Sequence, residues 1–405
     1  MHIYIFAEHY PNYFKPYLDT QFVQFLRDKY EVSIFAFGKW DRVTSEVVER
    51  HRLQRRTHYL PNTLKTLPRF FASIIVSVLK NPVQRIRSIC QILDPSVHWK
   101  RNLMNVARML LLPLAEPPLC LVHNLATATY LSFLRRFYPR SRCVLYYHGG
   151  EIPGTPNFSD GEATRAVELF HVVFTNTEYS KKELVTRSHP ATKVVISPVG
   201  FSVSDFQPGL TKVYRPHDVL RLISVGRLAE EKGLVYGLQA VRHCIVKGYG
   251  RIQYRIIGDG PLHQELEGYV RESGLSSHVE LCGPAPSEAV IAELEKADVL
   301  LLPSIPTATW EESQACVVQE AMLMKLLVVT AATGGVPESI SPEMTRFAVP
   351  PRNPGAIADR LIEIMHLPDI EIRELGLAAR RFAESRYDIR LLNAQLLQES
   401  LGDGS

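Results

Sequence analysis

Two carboxylates, Glu312 and Glu320, stand eight residues apart around the run Ser313-Gln314-Ala315-Cys316-Val317-Val318-Gln319. That run is small or apolar, and Glu320 opens an apolar helical pattern. On one continuous helix, eight residues is just over two turns, which would set both acids on one face. The apolar stretch 299–303 just before them reads as a strand. It predicts Glu312 on the loop after that strand and Glu320 just inside the next helix. Backbone N–H groups at the helix start then lie between two carboxylates, a site able to hold an anion and polyol hydroxyls together. Taken alone, such a pair is ordinary solvated surface, so the rest of the chain decides.

Other constellations follow the same strand-end logic. Ser224-Val225-Gly226-Arg227-Leu228-Ala229-Glu230-Glu231-Lys232-Gly233 ends a strand at a glycine and then offers two cations five residues apart. Gly226 lets a ligand approach the backbone, and Arg227 with Lys232 can neutralise two phosphates. Ile256-Ile257-Gly258-Asp259-Gly260-Pro261 and Thr333-Gly334-Gly335-Val336-Pro337-Glu338 are further strand-end glycine turns. Neither completes a dinucleotide fingerprint. Tyr146-Tyr147-His148-Gly149-Gly150-Glu151 ends a strand of the first half with a histidine that could face the same cleft as Glu312. Each of these alone also reads as a plain turn or a surface charge.

The elements that must position these residues alternate. Short apolar runs at 3–7, 32–36, 119–123, 143–148, 172–176 and 194–197 form one series of strands. Runs at 220–225, 254–257, 279–281, 299–302, 327–330 and 347–349 form a second, with helical patterns between most of them. Strand–helix alternation implies parallel sheets covered on both faces. Two series in 405 residues, too long for one ordinary core, predict two doubly wound α/β domains around a cleft, with ligands beyond the carboxyl ends of the strands.

The charge is uneven. The net value is +4, yet twelve Lys or Arg against one acid, Asp94, give +11 between Arg50 and Arg108 and leave the remainder at −7. This basic stretch breaks the alternation and reads as a helical insertion at about 50–114. It suits an anionic partner: a membrane surface, a diphosphate-bearing substrate or nucleic acid. The apolar run 70–79 within it is too short to span a bilayer but long enough to lie on one. Six cysteines show no CxxC pair or zinc spacing, which predicts reduced thiols and a cytoplasmic chain. The N-terminus reads as a buried strand rather than a secretory signal.

Taken in order, the GRLxxEKG-like segment at 226–233, GDGP at 258–261, the spaced pair Glu312/Glu320 and GGVPE at 334–338 resemble the retaining glycosyltransferases of family 4, which have the GT-B fold. The stretch 200–208 resembles that family's domain-joining segment, and the residues around Tyr10-Pro11 and Asp19 to Val23 resemble members of polysaccharide assembly. The resemblance implies two Rossmann-like domains facing a central cleft. It divides the chain into 1–200 with the insertion, a linker at 201–216, a nucleotide-sugar domain at 217–385, and a C-terminal helix at 386–405 packing back on the first domain.

It also implies roles. Glu320 would accept from the ribose hydroxyls, Arg227 and Lys232 would clamp the diphosphate beside Gly226, and backbone N–H groups near Gln314, Ala315 and Cys316 would meet sugar and phosphate. Glu312 and His148 would flank the donor sugar. The implied reaction moves a sugar from a nucleoside diphosphate sugar, UDP-sugar favoured, to a hydroxyl acceptor with retention, without a metal or other cofactor. The implied acceptor is a saccharide or a lipid-linked saccharide, with membrane contact through residues about 50–108 and no nucleic acid partner. A nucleotide-sugar epimerase of the same shape, a soluble acceptor, and a non-catalytic nucleotide-sugar-binding or RNA-binding protein using the basic stretch are the competing expectations. Ser313-Gln314-Ala315-Cys316 departs from the family's usual Gly-Phe-Gly-Leu after the first Glu.

Overall fold

The computed structural model describes residues 1–12, 16–39, 46–149, 160–188, 191–209, 218–308 and 310–402. The end of the 146–151 motif, residues 13–15 and the far half of the linker lie outside them.

Two parallel sheets form the frame. The first is built from β1 (His2–Ala7), β2 (Glu31–Ala36), β3 (Thr57–Tyr59), β4 (Leu119–His123), β5 (Arg142–Tyr147), β6 (Val172–Thr175) and β7 (Lys193–Ile196). Its order is β3-β2-β1-β4-β5-β6-β7. The second contains β8 (Leu220–Val225), β9 (Ile252–Ile257), β10 (Val279–Gly283), β11 (Val299–Leu302), β12 (Leu327–Ala331) and β13 (Ala348–Val349), in the order β10-β9-β8-β11-β12-β13. Both orders reverse beside the first strand of the domain, at β1/β4 and at β8/β11. That reversal opens the crevice where doubly wound sheets take ligands.

Alternating residues of β1 show why two cores flank the first sheet. Tyr4 and Phe6 join one buried cluster while Ile3 and Ile5 join the other. The second domain has one continuous core. β3 is absent from the sequence expectation. It is three residues long, lies within the basic stretch and is held by parallel pairing of Thr57 with Ile34 rather than by a buried apolar pattern.

The helices that frame the cleft and linker are α1 (Pro16–Arg27), α2 (Phe71–Lys80), α3 (Pro82–Ile92), α4 (Trp99–Leu111), α5 (Glu178–Ser188), α6 (Cys316–Leu323), α7 (Asp369–Tyr387) and α8 (Ile389–Leu401). The chain crosses between the domains twice, and the two crossings pair. Phe201 N–H donates to Tyr387 O at 2.7 Å, and Ile389 N–H donates to Phe201 O at 3.0 Å. Beyond the crossing, α8 packs on the first domain. Leu396 enters its core, Gln21 Nε2 donates to Asn393 Oδ1 at 3.3 Å, and Arg142 Nε donates to Ser400 O at 2.8 Å. All six cysteines are free; Cys120, Cys143 and Cys244 are buried and Cys90 is exposed.

Candidate functional site

The carboxyl ends of β8, β11 and β12 converge on one wall of the cleft. After β8 the chain turns at Gly226, and the Lys232 stem runs beside that glycine, its Cε 3.6 Å from where a side chain would begin. Lys232 ion-pairs with Glu312; their side chains are 19% and 5% exposed, so the pair is largely withdrawn from water. Arg227 pairs with Glu231, four residues on, while remaining about half exposed. The two cations expected to meet a diphosphate are thus each held by a carboxylate of the same wall.

The glycine motif after β12 fixes Glu312 from behind. Gly335 N–H donates to Glu312 O at 2.8 Å, and Gly334 has φ +52°. A Cβ at Gly334 would sit 2.0 Å from that carbonyl, so only glycine allows the approach. The neighbouring Glu311 carboxylate accepts from Thr333 Oγ1 and from Gly334 N–H, both at 2.8 Å.

Glu312 lies on the loop after β11 and Glu320 lies inside α6, the placement expected from their spacing. Ala315, the residue before α6, is extended, and no side chain caps the helix. Its first N–H groups are therefore available to an anion in the space between the acids. Cys316 opens the helix, and burial together with the nearby Glu320 and Glu312 charges pushes its thiol up. Glu320 keeps a partly open surface within dense surroundings, and this desolvation raises its pKa to about 7. Its carboxylate makes no hydrogen bond or ion pair among the described residues. A poorly solvated acceptor without protein donors is suited to hydroxyl donors of a ligand.

The opposite wall belongs to the first domain. His148 follows β5, its Nε2 lies 3.0 Å from His123 Nδ1, and the two rings are parallel within 4°. Tyr146 stacks on the His148 ring at 4.7 Å, and Asn176 Nδ2 donates to the His148 carbonyl at 2.9 Å. The His123–His148 hydrogen bond needs one nitrogen protonated and the other bare, so each ring constrains the other's tautomer. The chain neighbours of His148 and Glu312 approach each other across the cleft. A Cβ at Gly149 (φ +72°) would fall 2.4 Å from Ser313 Oγ, and Ser313 Oγ is hydrogen-bonded to Ser180 Oγ.

Further contacts tie the walls together. Glu338 accepts from the backbone N–H groups of Glu178 at 2.7 Å and Tyr179 at 2.8 Å, so a carboxylate of the second domain sits on the N-terminus of α5 in the first. Tyr179 OH donates to Glu311 Oε2 at 2.6 Å. The Gln314 amide brackets the Val199 backbone, accepting from its N–H at 2.7 Å and donating to its carbonyl at 3.1 Å. The Gln314 side chain therefore serves the crossing segment, leaving only its backbone towards the helix start. Sequence reading passed over Glu311, Tyr179, Ser180 and His123, and saw Glu338 only as part of a turn. The adjacent acid pair Glu311-Glu312 was the one local signal available.

Residues 211–382 match the family described as Glycosyl transferases group 1. WcaL of Escherichia coli K12, named for colanic acid biosynthesis, is 32% identical over 208 residues, which is 51% of this chain and 50% of WcaL. The amylovoran biosynthesis glycosyltransferase AmsK of Erwinia amylovora is 25% identical over 98% of both chains. Among solved structures, the Anabaena protein HepE, crystallised with UDP and glucose, superposes with a TM-score of 0.71 at 16% identity over 98% of both chains. The chain thus has the GT-B fold and resembles glycosyltransferases of polysaccharide assembly, while the WcaL match spans about half of that relative's length.

Proposed function

We propose that the chain is a retaining glycosyltransferase that moves a sugar from a nucleoside diphosphate sugar, with UDP as the carrier, to a hydroxyl of a lipid-linked saccharide. The observation that carries the donor half is the convergence of Arg227, Lys232, the uncapped start of α6 and the unpartnered Glu320 on one strand-end crevice. HepE, solved with UDP-glucose, supports the choice of base, and the polysaccharide-assembly relatives support the acceptor class.

Charge is the physical difficulty of the step. As the glycosidic bond breaks, negative charge grows on the leaving diphosphate and positive charge on the sugar ring. Arg227, Lys232 and the first N–H groups of α6 oppose the former, and each well-placed donor is worth about 3–4 kcal/mol in such steps. A diphosphate entering the site competes with Glu231 and Glu312 for their cations. Glu312, freed from part of that pairing, faces the developing positive charge of the sugar. The acceptor oxygen attacks on the face the diphosphate leaves, and the leaving phosphate oxygen takes its proton. Glu320 orients the ribose through its two hydroxyls, and His148, held by His123 and Tyr146, borders the sugar from the first domain. Divalent cations have no required part in this scheme.

An initial-rate assay with labelled UDP-glucose and paired lipid-linked and soluble acceptors, with and without EDTA, tests the reading. Transfer to the lipid-linked acceptor, insensitive to EDTA and giving an α-linked product from the α-linked donor by proton coupling constants, is the expected result. A β-linked product would refute retention, and transfer to the soluble acceptor alone would refute the acceptor class.

A further inference from the structure

Three helices inserted between β3 and β4 carry an exposed surface of unusual composition. α2 is apolar on two faces. Ile74 and Val78 pack on the core of the first domain, while Ala72, Ile75, Val76 and Leu79 form a second row at helical spacing that is open to solvent. No residue of α2 is buried. A helix that is apolar all round is otherwise found inside a core or against lipid. The row continues onto α3, where Val83 and Ile86 are exposed one turn apart, and Trp99 at the start of α4 is exposed as well. Leu79 is 74% exposed, Val83 71% and Trp99 62%, and it is their grouping on one insertion, rather than each exposure alone, that is informative.

The charge around this surface has one sign. Arg69, Lys80, Arg87, Lys100 and Arg101 are exposed beside it, and Lys100 lies over the Trp99 ring at 5.6 Å. The single acid of the stretch, Asp94, is ion-paired with Arg136 at 3.2 Å. Ten residues of helix span about 15 Å, half of a hydrocarbon core. Among the described residues no helix is long and apolar enough to cross a membrane.

We propose that α2, α3 and the start of α4 form a face that lies on an anionic lipid surface, burying Ile75, Leu79, Val83 and Trp99 at the headgroup boundary. The exposed Lys and Arg side chains then keep their charges at the phosphate level while their stems cover apolar surface. The apolar row supplies burial, and the absence of a free acid removes the repulsion an anionic surface would otherwise meet. This face belongs to the first domain, so an enzyme seated on it would hold that domain against the lipid. The surface stands apart from the donor cleft, and its test needs neither nucleotide nor sugar transfer.

Flotation of the full chain with phosphatidylglycerol vesicles and with phosphatidylcholine vesicles, for the native protein and a Leu79→Asp/Val83→Asp variant, tests the proposal. Both substituted positions are exposed, and an unchanged thermal unfolding midpoint verifies that the variant folds. The native chain is expected to float with anionic vesicles, to be released by high salt, and to bind at least about tenfold more weakly when substituted. Brominated lipid is expected to quench the native chain but not Trp99→Phe beyond its remaining tryptophans. Absence of flotation, or equal binding of native chain and variant, would overturn the lipid assignment. Equal binding to neutral vesicles would overturn the anionic one. A concentration-dependent dimer in sedimentation velocity that the double substitution abolishes, without vesicle binding, would assign the face to a second copy of the chain instead.

Discussion

The donor wall and the helical insertion solve opposite problems with opposite materials. On the donor wall, charges are numerous and mostly matched within the protein: Lys232 with Glu312, Arg227 with Glu231, and Glu311 with Thr333 and Gly334. On the outer face of the insertion, the exposed cations outnumber a single paired acid, and the apolar residues lack cover. A small charged ligand needs groups fixed in place, because each must meet a particular oxygen. A soft, extended partner needs area and a uniform field. The contrast teaches that the first region is specific through pairing and the second through its lack of it.

Substitutions can break the comparison. The largest effect is expected from Lys232→Ala, which leaves Glu312 buried without its cation. Removing one partner of such a pair costs about 3–5 kcal/mol, measurable by denaturant unfolding, while Lys232→Met with Glu312→Gln together should recover most of it and still fail to hold UDP. A Lys232→Ala chain of native stability would mean that the pair is an exposed one. Gln314→Ala comes next. It strands the Val199 N–H and carbonyl at the crossing, at about 1–3 kcal/mol for each unsatisfied group, and should shift the unfolding midpoint without changing the UDP contact groups.

Glu320→Gln sharpens the comparison through pH. The Glu320 pKa is raised to about 7 by burial, against an ordinary value near 4.5. The folded state thus prefers the protonated carboxyl. Its favourable contribution is complete below the unfolded pKa and is lost as pH rises through about 7, by at most about 3 kcal/mol. Unfolding free energies measured from pH 5 to 8 should fall in the native chain by more than in Glu320→Gln. Identical slopes would mean the carboxyl is well solvated. The smallest effect is expected from Glu338→Gln, which weakens a charge on the α5 N-terminus by about 0.3–1 kcal/mol. It should enlarge the radius of gyration in small-angle scattering if the contact holds the two domains together.

Much of this was legible in the chain. Apolar runs of four to six residues separated by helical periodicity set out both sheets, because parallel strands buried on both faces leave a continuous apolar signature. β3 escaped since its three residues are held by their neighbour rather than by burial. Gly226, Arg227, Lys232, Glu312 and Glu320 could be picked out because each stands at a strand end or helix start. The contacts between walls could not. Glu338 is 160 residues from Glu178, and Gln314 is 115 from Val199. No local pattern encodes partners at such separations. The insertion was legible in charge and not in shape, because composition cannot tell which apolar row of α2 is left outside.

The claim that the strand-end crevice of the second domain is a nucleotide-sugar site is tested most directly by calorimetric titration. UDP, GDP and ADP would each be titrated into the native chain and into Glu320→Ala. Binding of UDP in preference to the others, weakened about tenfold or more (roughly 1.4 kcal/mol) by the substitution, is the predicted result. Absence of binding by all three, or binding that Glu320→Ala leaves unchanged, would contradict it.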